Sequence, residues 1–411
     1  MIKRIESIDV LRGFALLGIL LMNIGSFSMP SMAYFSPYVY DVTVLNHILY
    51  SIGHVIADQK FMAIFSMLFG ASTMLFVQSA MSKKKRPMIL FYSRNFWLLI
   101  IGWIHARFVW YGDILFIYAF CSFLLFFFRN LRPRTQFIIG CIIYLIPSFS
   151  NFALNAFVFD HLDNEDHNAI MEHWNPPEEE LQKELEAYNG SYYEQIKHRE
   201  KMWSSDAGET PSAGDNGKGI IGLSFLIDLL SRSFGMMLVG MASFSWGIFS
   251  NSLQKSFYQR LTKYGFCIGF PLSAGGLALA YHYNWDWHYM QFIGRAPNHI
   301  ATPFIAFGYI GIVMLCIKNE IALKLQERLK SIGKTALTGY LVQSFLATYV
   351  FYGFGLSLFG QTNRIEQLAI VVLIWAILML VSPIWLKKFY YGPIEWIWRM
   401  LTHLKFVKIS R

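Results

Sequence analysis

Apolar residues run along this chain in long unbroken blocks, not in the alternation of a half-buried strand or the one-face stripe of a soluble helix. Ten blocks approach the roughly 20 residues that span a bilayer: 8–28, 60–80, 89–108, 113–129, 136–158, 224–249, 264–283, 299–317, 335–354 and 366–387. Backbone inside lipid must satisfy its own hydrogen bonds, so each block predicts an α-helix. The expected fold class is all-α: a polytopic membrane protein of about ten transmembrane helices. Residues 42–58 are apolar as well and predict a re-entrant or interfacial helix. The first block follows Lys3 and Arg4, as a signal peptide would. It is too long for one and lacks a small-residue cleavage site, so it predicts an uncleaved span.

One stretch interrupts the pattern. Residues 160–218 are polar, with acidic runs and a Gly/Ser-rich tract from Ser204 to Gly219. Within it, about 178–203 has helical composition. Pro176 and Pro177 followed by Glu178, Glu179 and Glu180 suit a helix start, where the dipole favours acidic side chains. The chain therefore divides into an N-terminal five-helix part (1–159), a loop (160–218) and a C-terminal five-helix part (219–411).

Composition narrows the class. Hydrophobic residues make up 55% of the chain and charged residues only 15%, against about 25% charged in a typical soluble domain. An ordinary soluble enzyme, a disordered chain and a disulfide scaffold are excluded. The four cysteines, Cys121, Cys141, Cys267 and Cys316, lie inside apolar blocks without C-x-x-C spacing and predict buried thiols. The net charge of +9 conceals a split: residues 160–218 carry 15 Asp/Glu against 5 Lys/Arg, which leaves +19 on the rest. The basic residues follow the even-numbered spans, as with Lys83, Lys84 and Arg86 after the second. By the positive-inside rule both termini are cytoplasmic and the acidic loop is extracytoplasmic. That distribution explains the basic excess without nucleic acid, and locates the protein in the cell (plasma) membrane.

Ionisable groups within spans are expensive, so they are candidates for function. Asp9 and Arg12 lie three apart on the first helix and are neighbours on one face. They either neutralise each other or present a cation to an anionic group. His105 and Arg107 close the third span, and Gly112-Asp113 leads into the fourth. Asp113 suits a helix cap. With His105 it also has the composition of a general base and its orienting carboxylate. His47, His54 and Asp58 precede the second span. Asp228 and Arg232, four apart, are expected to pair. Arg295 and His299 open the eighth span, where a helix start suits an anion. Gly70 and the run Gly235 to Gly240 read as helix-packing patterns. Trp285, Trp287, Trp396 and Trp398 read as an interfacial belt. His161, His167 and His173 recur every six residues, a spacing that does not fit a metal set, and no metal is expected.

An ordered set of motifs resembles a known family. It comprises Ile8-Asp9-Val10-Leu11-Arg12-Gly13-Phe14 with Asn23; Lys60-Phe61 with Phe65-Ser66-Met67-Leu68-Phe69-Gly70; and His105 with Gly112-Asp113-Ile114-Leu115. It continues with Gly333-Lys334-Thr335-Ala336-Leu337-Thr338 and Tyr340, then Gly392-Pro393-Ile394-Glu395-Trp396. The chain resembles the YeiB-like family, whose C-terminal part is the domain of unknown function 418. Its first span also resembles the transmembrane acyltransferases, including acyltransferase-3 proteins and heparan-alpha-glucosaminide N-acetyltransferase. In acyltransferase-3 proteins the resembling arginine is followed eleven residues later by a histidine implicated in catalysis. Here Asn23 stands at that place, and Asn cannot act as a base.

The resemblance implies an integral membrane acyltransferase moving an acyl group from cytoplasmic acyl-CoA, acetyl-CoA first, to an extracytoplasmic or lipid-linked acceptor. Arg12, with Lys83, Lys84 and Arg86, would meet the cofactor phosphates. His105 would be the base, with His54 as second choice; Asp113 would orient it and Asn23 would serve the oxyanion. Expected partners are membrane lipids, a small-molecule or glycan acceptor and a second copy in a homodimer. The alternative is a small-molecule or lipid transporter using the same intramembrane groups, with a broken helix expected around Gly265–Gly276.

Overall fold

A computed structural model describes residues 4–39, 43–84, 86–161, 163–204 and 215–411. Seventeen α-helical segments follow one another: α1 (Glu6–Ser28), α2 (Val44–Ile56), α3 (Lys60–Ser82), α4 (Pro87–Ile104), α5 (Leu115–Leu125), α6 (Pro133–His161), α7 (Asn164–Trp174), α8 (Glu178–Asn189), α9 (Tyr192–Ser204), α10 (Asp215–Ser245), α11 (Lys255–His282), the single turn α12 (Trp287–Tyr289), α13 (Ala296–Lys318), α14 (Leu323–Lys334), α15 (Ala336–Phe351), α16 (Arg364–Lys388) and α17 (Pro393–His403). Among the described residues, eight helical stretches are long and apolar enough to cross a membrane. Two shorter apolar stretches, Leu115–Asn130 and Ala336–Phe351, fall where the other two spans are predicted but are below that length. Large apolar side chains face outward on them, such as Ile138, Ile142, Phe149 and Phe152 on α6 and Val372, Leu373 and Leu380 on α16. A continuous apolar exterior of that kind belongs against lipid. The chain is a multi-pass membrane protein.

Local sequence sets the breaks. Pro87 begins α4, where its missing N–H costs nothing. Asn363 and Glu366 form a reciprocal capping box that starts α16. Of the segment 42–58, residue 42 lies outside the described residues and Val44–Ile56 form α2, followed by a break before α3 at Gln59, held at φ 65°. The polar stretch contains α7, α8 and α9. The predicted helix over 178–203 starts at Glu178 as expected but is interrupted at Gly190 and Ser191.

Small residues bring helices into backbone contact. Gly70 on α3 and Gly240 on α10 each face the other helix's main chain. Gly13 on α1 and Gly333 on α14 do the same. The packing role read for Gly70 and Gly235–Gly240 is what these crossings use.

Three expectations need correction. Trp285 and Trp287 are 4% and 5% exposed and pack in an inner cluster, not a belt. Their indoles fill space between α7 and α11 that a smaller residue would leave empty. Cys267 is exposed, because its position on α11 points away from the bundle. Helix α11 runs without interruption through Gly265–Gly276, so the broken helix that would favour a transporter is not found there.

Candidate active site

Helix α4 ends in a π-helical turn, His105–Val109, before the chain extends at Trp110. Such turns widen a helix by one residue and recur at functional sites. The turn carries His105 inward, where it is 2% exposed. Gly112 and Asp113 follow, and Asp113 meets the ring: His105 Nδ1 lies 2.7 Å from Asp113 Oδ1. The second carboxylate oxygen accepts from the Phe116 backbone N–H at 2.7 Å, in the first turn of α5. Capping and orientation, alternatives in the sequence, are performed by one side chain. Tyr340 on α15 completes the group, its hydroxyl 3.4 Å from Asp113 Oδ1 and accepting from Ile114 N–H at 3.3 Å. His105 Nε2 is buried and has no hydrogen-bond partner among the described residues. A carboxylate on Nδ1 fixes that proton there and leaves Nε2 as a free lone pair, the arrangement of a general base.

A cavity of about 500 Å³ lies among α1, α3, α4, α14, α15 and α17, with Leu115 and Tyr340 in its wall. Its size is in the range of ligand sites. Its mouth is basic: Arg4, Arg12, Arg94, Lys334 and Arg399 line it, against the carboxylates Asp9 and Glu395. Asp9 is held by Arg4 (2.5 and 3.1 Å) and Arg12 (3.1 Å). Arg12 also donates to Ser72 Oγ at 2.9 Å and to the Gly333 carbonyl at 3.3 Å. The neutralisation and the cation-presenting readings of this pair therefore both apply. Arg94 stacks on Phe76 and Trp398. Glu395 accepts from the Leu337 and Thr338 N–H groups at 2.7 and 3.0 Å, which caps α15. Burial pushes its carboxyl above the usual range, opposed by its bonds to Thr338. Burial, then Arg4, pulls the Lys334 ammonium below its usual value.

A second polar cluster lies elsewhere, around the α2–α3 break. Asp58 accepts from Tyr34 (2.5 Å) and Asn298 (2.7 Å), with His54 Nδ1 at 3.6 Å. Lys60, fully buried, donates to the His54 carbonyl and to Asn298 Oδ1. Asp228 pairs with Arg232 as expected, and with Arg295 at 3.6 Å. Two smaller cavities, of about 90 and about 30 Å³, share Tyr34, Tyr50, His54 and Asp58.

The predicted site residues thus fall into separate places. His105 and Asp113 meet. Arg12 lines the large cavity; His105 does not, and Tyr340, which does, has its ring 5.2 Å from the His105 ring. His54 belongs to the second cluster. Asn23 is half-buried on α1, makes no side-chain hydrogen bond among the described residues and does not line the large cavity. Eleven residues of α-helix carry it about three turns past Arg12, the last α1 residue in that cavity's wall. Lys83, Lys84 and Arg86 are exposed on the α3–α4 turn and do not line the cavity. Three hydrated charges on a two-helix turn keep to solvent. Arg94, Arg399, Glu395 and Ser72 were missed as cavity residues. Arg94, a charge inside an apolar block, was the one signal that could have found its place.

The bundle, its lipid-type exterior and its two buried polar centres define a polytopic helical membrane protein. Residues 244–405 match the family described as "Protein of unknown function (DUF418)". The chain is 29% identical over 404 residues to the uncharacterized protein YeiB of Escherichia coli, covering 97% of this chain and 96% of that protein. It is 28% identical over 421 residues to the uncharacterized protein YxaH of Bacillus subtilis, covering 100% and 96%. An uncharacterized 39.9 kDa protein of Bacillus acidopullulyticus is 26% identical, over 98% of this chain and 94% of that one. The chain is therefore similar to YeiB and YxaH along nearly its whole length, and the DUF418 match lies in its C-terminal part.

Proposed function

We propose that this protein is an integral membrane acyltransferase of the plasma membrane, with ten spans and both termini in the cytoplasm. Acyl-CoA enters the basic cavity from that side, with its phosphates near Arg12, Arg4, Lys334 and Arg399. The observation that carries the reading is the unpartnered, buried His105 Nε2 with Asp113 on Nδ1. His105 takes the proton of the acceptor hydroxyl or amine as that atom bonds to the acyl carbon. The thioester C–S bond breaks, and the proton passes from His105 to the departing CoA sulfur. Asp113 holds the tautomer throughout. Tyr340 stands in the cavity wall beside His105, so its side chain must swing aside for the thioester to reach the base. The oxyanion role assigned to Asn23 is left out of the reading, and so are Lys83, Lys84 and Arg86.

The test is acetyl-CoA binding and acyl transfer by the purified protein, compared with Arg12→Ala and His105→Ala. Arg12→Ala should weaken binding, and His105→Ala should abolish transfer while binding persists. Monodisperse protein that binds no acyl-CoA, short or long, refutes it. The buried charges Lys60, Asp228 and Arg232, with half-buried Asp58, favour a second reading, a transporter of a small molecule or lipid. Flux into proteoliposomes without covalent change of the substrate would select that one.

A further inference from the structure

The smaller cavity beside the α2–α3 break is lined by residues with buried polar atoms that no described residue satisfies. Gln59 and Trp285 both line it and are 8% and 4% exposed. Gln59 Oε1 and Trp285 Nε1 are buried without a hydrogen-bond partner among the described residues. Buried polar groups are almost always paired, so two orphans on one cavity need an explanation. Both residues also adopt the left-handed region, Gln59 at φ 65° and Trp285 at φ 56°. Neither is a glycine or asparagine, the residues that take this conformation at low cost. Strained backbone of this kind gathers at ligand clamps.

A third group faces the same space. Arg295 lines the cavity, and its guanidinium makes no hydrogen bond among the described residues; its contacts are Asp228 at 3.6 Å and the Phe35 ring. Asp58, the nearest carboxylate on the cavity wall, has both oxygens engaged by Tyr34 and Asn298. The donors without a hydrogen bond among the described residues are therefore the Arg295 guanidinium, ion-paired with Asp228 at 3.6 Å, and an indole N–H, and the acceptor is an amide oxygen. A planar anion that also carries an O–H matches all three: the carboxylate takes the fork of Arg295 and the Trp285 N–H, and the hydroxyl donates to Gln59. Arg binds carboxylates two-pronged, which favours a carboxylate over a tetrahedral phosphate in so narrow a space. Gln59, Trp285 and Arg295 line the cavity of about 30 Å³, and a neighbouring cavity of about 90 Å³ shares Tyr34, Tyr50, His54 and Asp58 with it as walls. At about 10–15 Å³ for each water-sized centre, they hold a molecule of only a few carbon atoms.

We propose that this pocket is a binding site for a small hydroxycarboxylate, held by Arg295, Trp285 and Gln59. The site is distinct from the His105 cavity and does not depend on acyl transfer. The experiment follows thermal unfolding and calorimetric binding of the detergent-purified full chain with lactate, up to about 10 mM. Lactamide, acetate and inorganic phosphate are titrated in parallel. Lactate should raise Tm saturably. Lactamide should bind at least about tenfold more weakly, because it loses the charge-assisted bonds to Arg295. Arg295→Gln should weaken lactate by about tenfold or more, and Trp285→Phe, which keeps the ring and loses the N–H, by roughly three- to tenfold. If Arg295→Gln does not fold, Trp285→Phe decides. The proposal is overturned if lactate does not bind, if lactamide or phosphate binds as well as lactate, or if Trp285→Phe binds lactate like the native chain. Acetate binding as tightly as lactate would remove the hydroxyl from the assignment and overturn the role of Gln59.

Discussion

The crossing of α1 and α14 fixes the mouth of the large cavity, and Gly333 tests that. A Cβ built on Gly333 overlaps the Asp9 carbonyl oxygen and lies 2.7 Å from the Asp9 carbonyl carbon and 3.0 Å from Gly13 N. On the facing helix, a Cβ on Gly13 would overlap the Leu329 carbonyl in the same way. Every obstacle is backbone, so no rotamer can yield. Heavy-atom contacts settle near 3.5 Å, and Gly333→Ala must therefore push the helices apart by roughly 1.5 Å. Overpacking costs about 1–3 kcal/mol, and backbone obstacles put this change at the upper end. The separation also stretches the 3.3 Å bond from Arg12 to the Gly333 carbonyl past hydrogen-bonding range. For a chain of this size, roughly 3 kcal/mol corresponds to a fall in Tm of about 3–6 °C. Unfolding in detergent, followed by size-exclusion of the surviving monomer, measures it. Gly275 on α11 is the control, since a Cβ there meets nothing within 4 Å. Gly275→Ala should leave Tm unchanged or raise it, as a helix gains up to about 1 kcal/mol from that exchange. A Gly333→Ala protein within about 1 °C of the native one, or an equal fall in the control, would refute the reasoning.

Three further outcomes are expected. Asp113→Asn keeps an acceptor for the Phe116 N–H but loses the carboxylate that fixes the His105 tautomer; transfer from acetyl-CoA should fall about 10³-fold or more with Tm little changed. Burial raises the Glu184 carboxyl to about 7, against its hydrogen bonds from Ser31. The folded state then holds this proton more tightly than the unfolded one, so the stability it contributes is full below about 4.5 and is lost as pH rises through about 7. Tm measured between about pH 5 and 8 should decline less in Glu184→Gln than in the native protein. Glu395→Ala strands the Leu337 and Thr338 N–H groups at the start of α15 and should cost about 1–3 kcal/mol, whereas Glu395→Gln should recover most of it in the same melt.

How much was legible followed from the range of the forces involved. The helices were, because the cost of unpaired backbone in lipid is paid within each segment and shows as an apolar block. Pairs close in sequence were legible too. Asp9 with Arg12, Asp228 with Arg232, and His105 with Asp113 across a tight turn all meet. What the sequence hid is contact across hundreds of residues. Arg12 to Gly333, Ser93 to Thr402 and Lys60 to Asn298 depend on which helices cross, and no local pattern encodes that. Asn23 shows the opposite failure. Helical spacing placed it correctly relative to Arg12, but a position along one helix says nothing about which neighbour's side chain closes the space in front of it.

The separation of the two polar centres constrains any mechanism. Groups that must touch one reacting centre cannot be divided between cavities, so His54 and His105 cannot alternate as base for a single transfer. Tyr340 sharpens the point at the His105 centre. Its hydroxyl binds the same Asp113 oxygen that His105 Nδ1 uses, at 3.4 against 2.7 Å. When the ring moves, Asp113 keeps its bonds to His105 and Phe116, so opening the path from the cavity leaves the base assembled. In the proposed transfer, a gate that costs two long hydrogen bonds, to Asp113 Oδ1 and from the Ile114 N–H, in front of a base held through two short ones, lets access change while the reactive geometry does not.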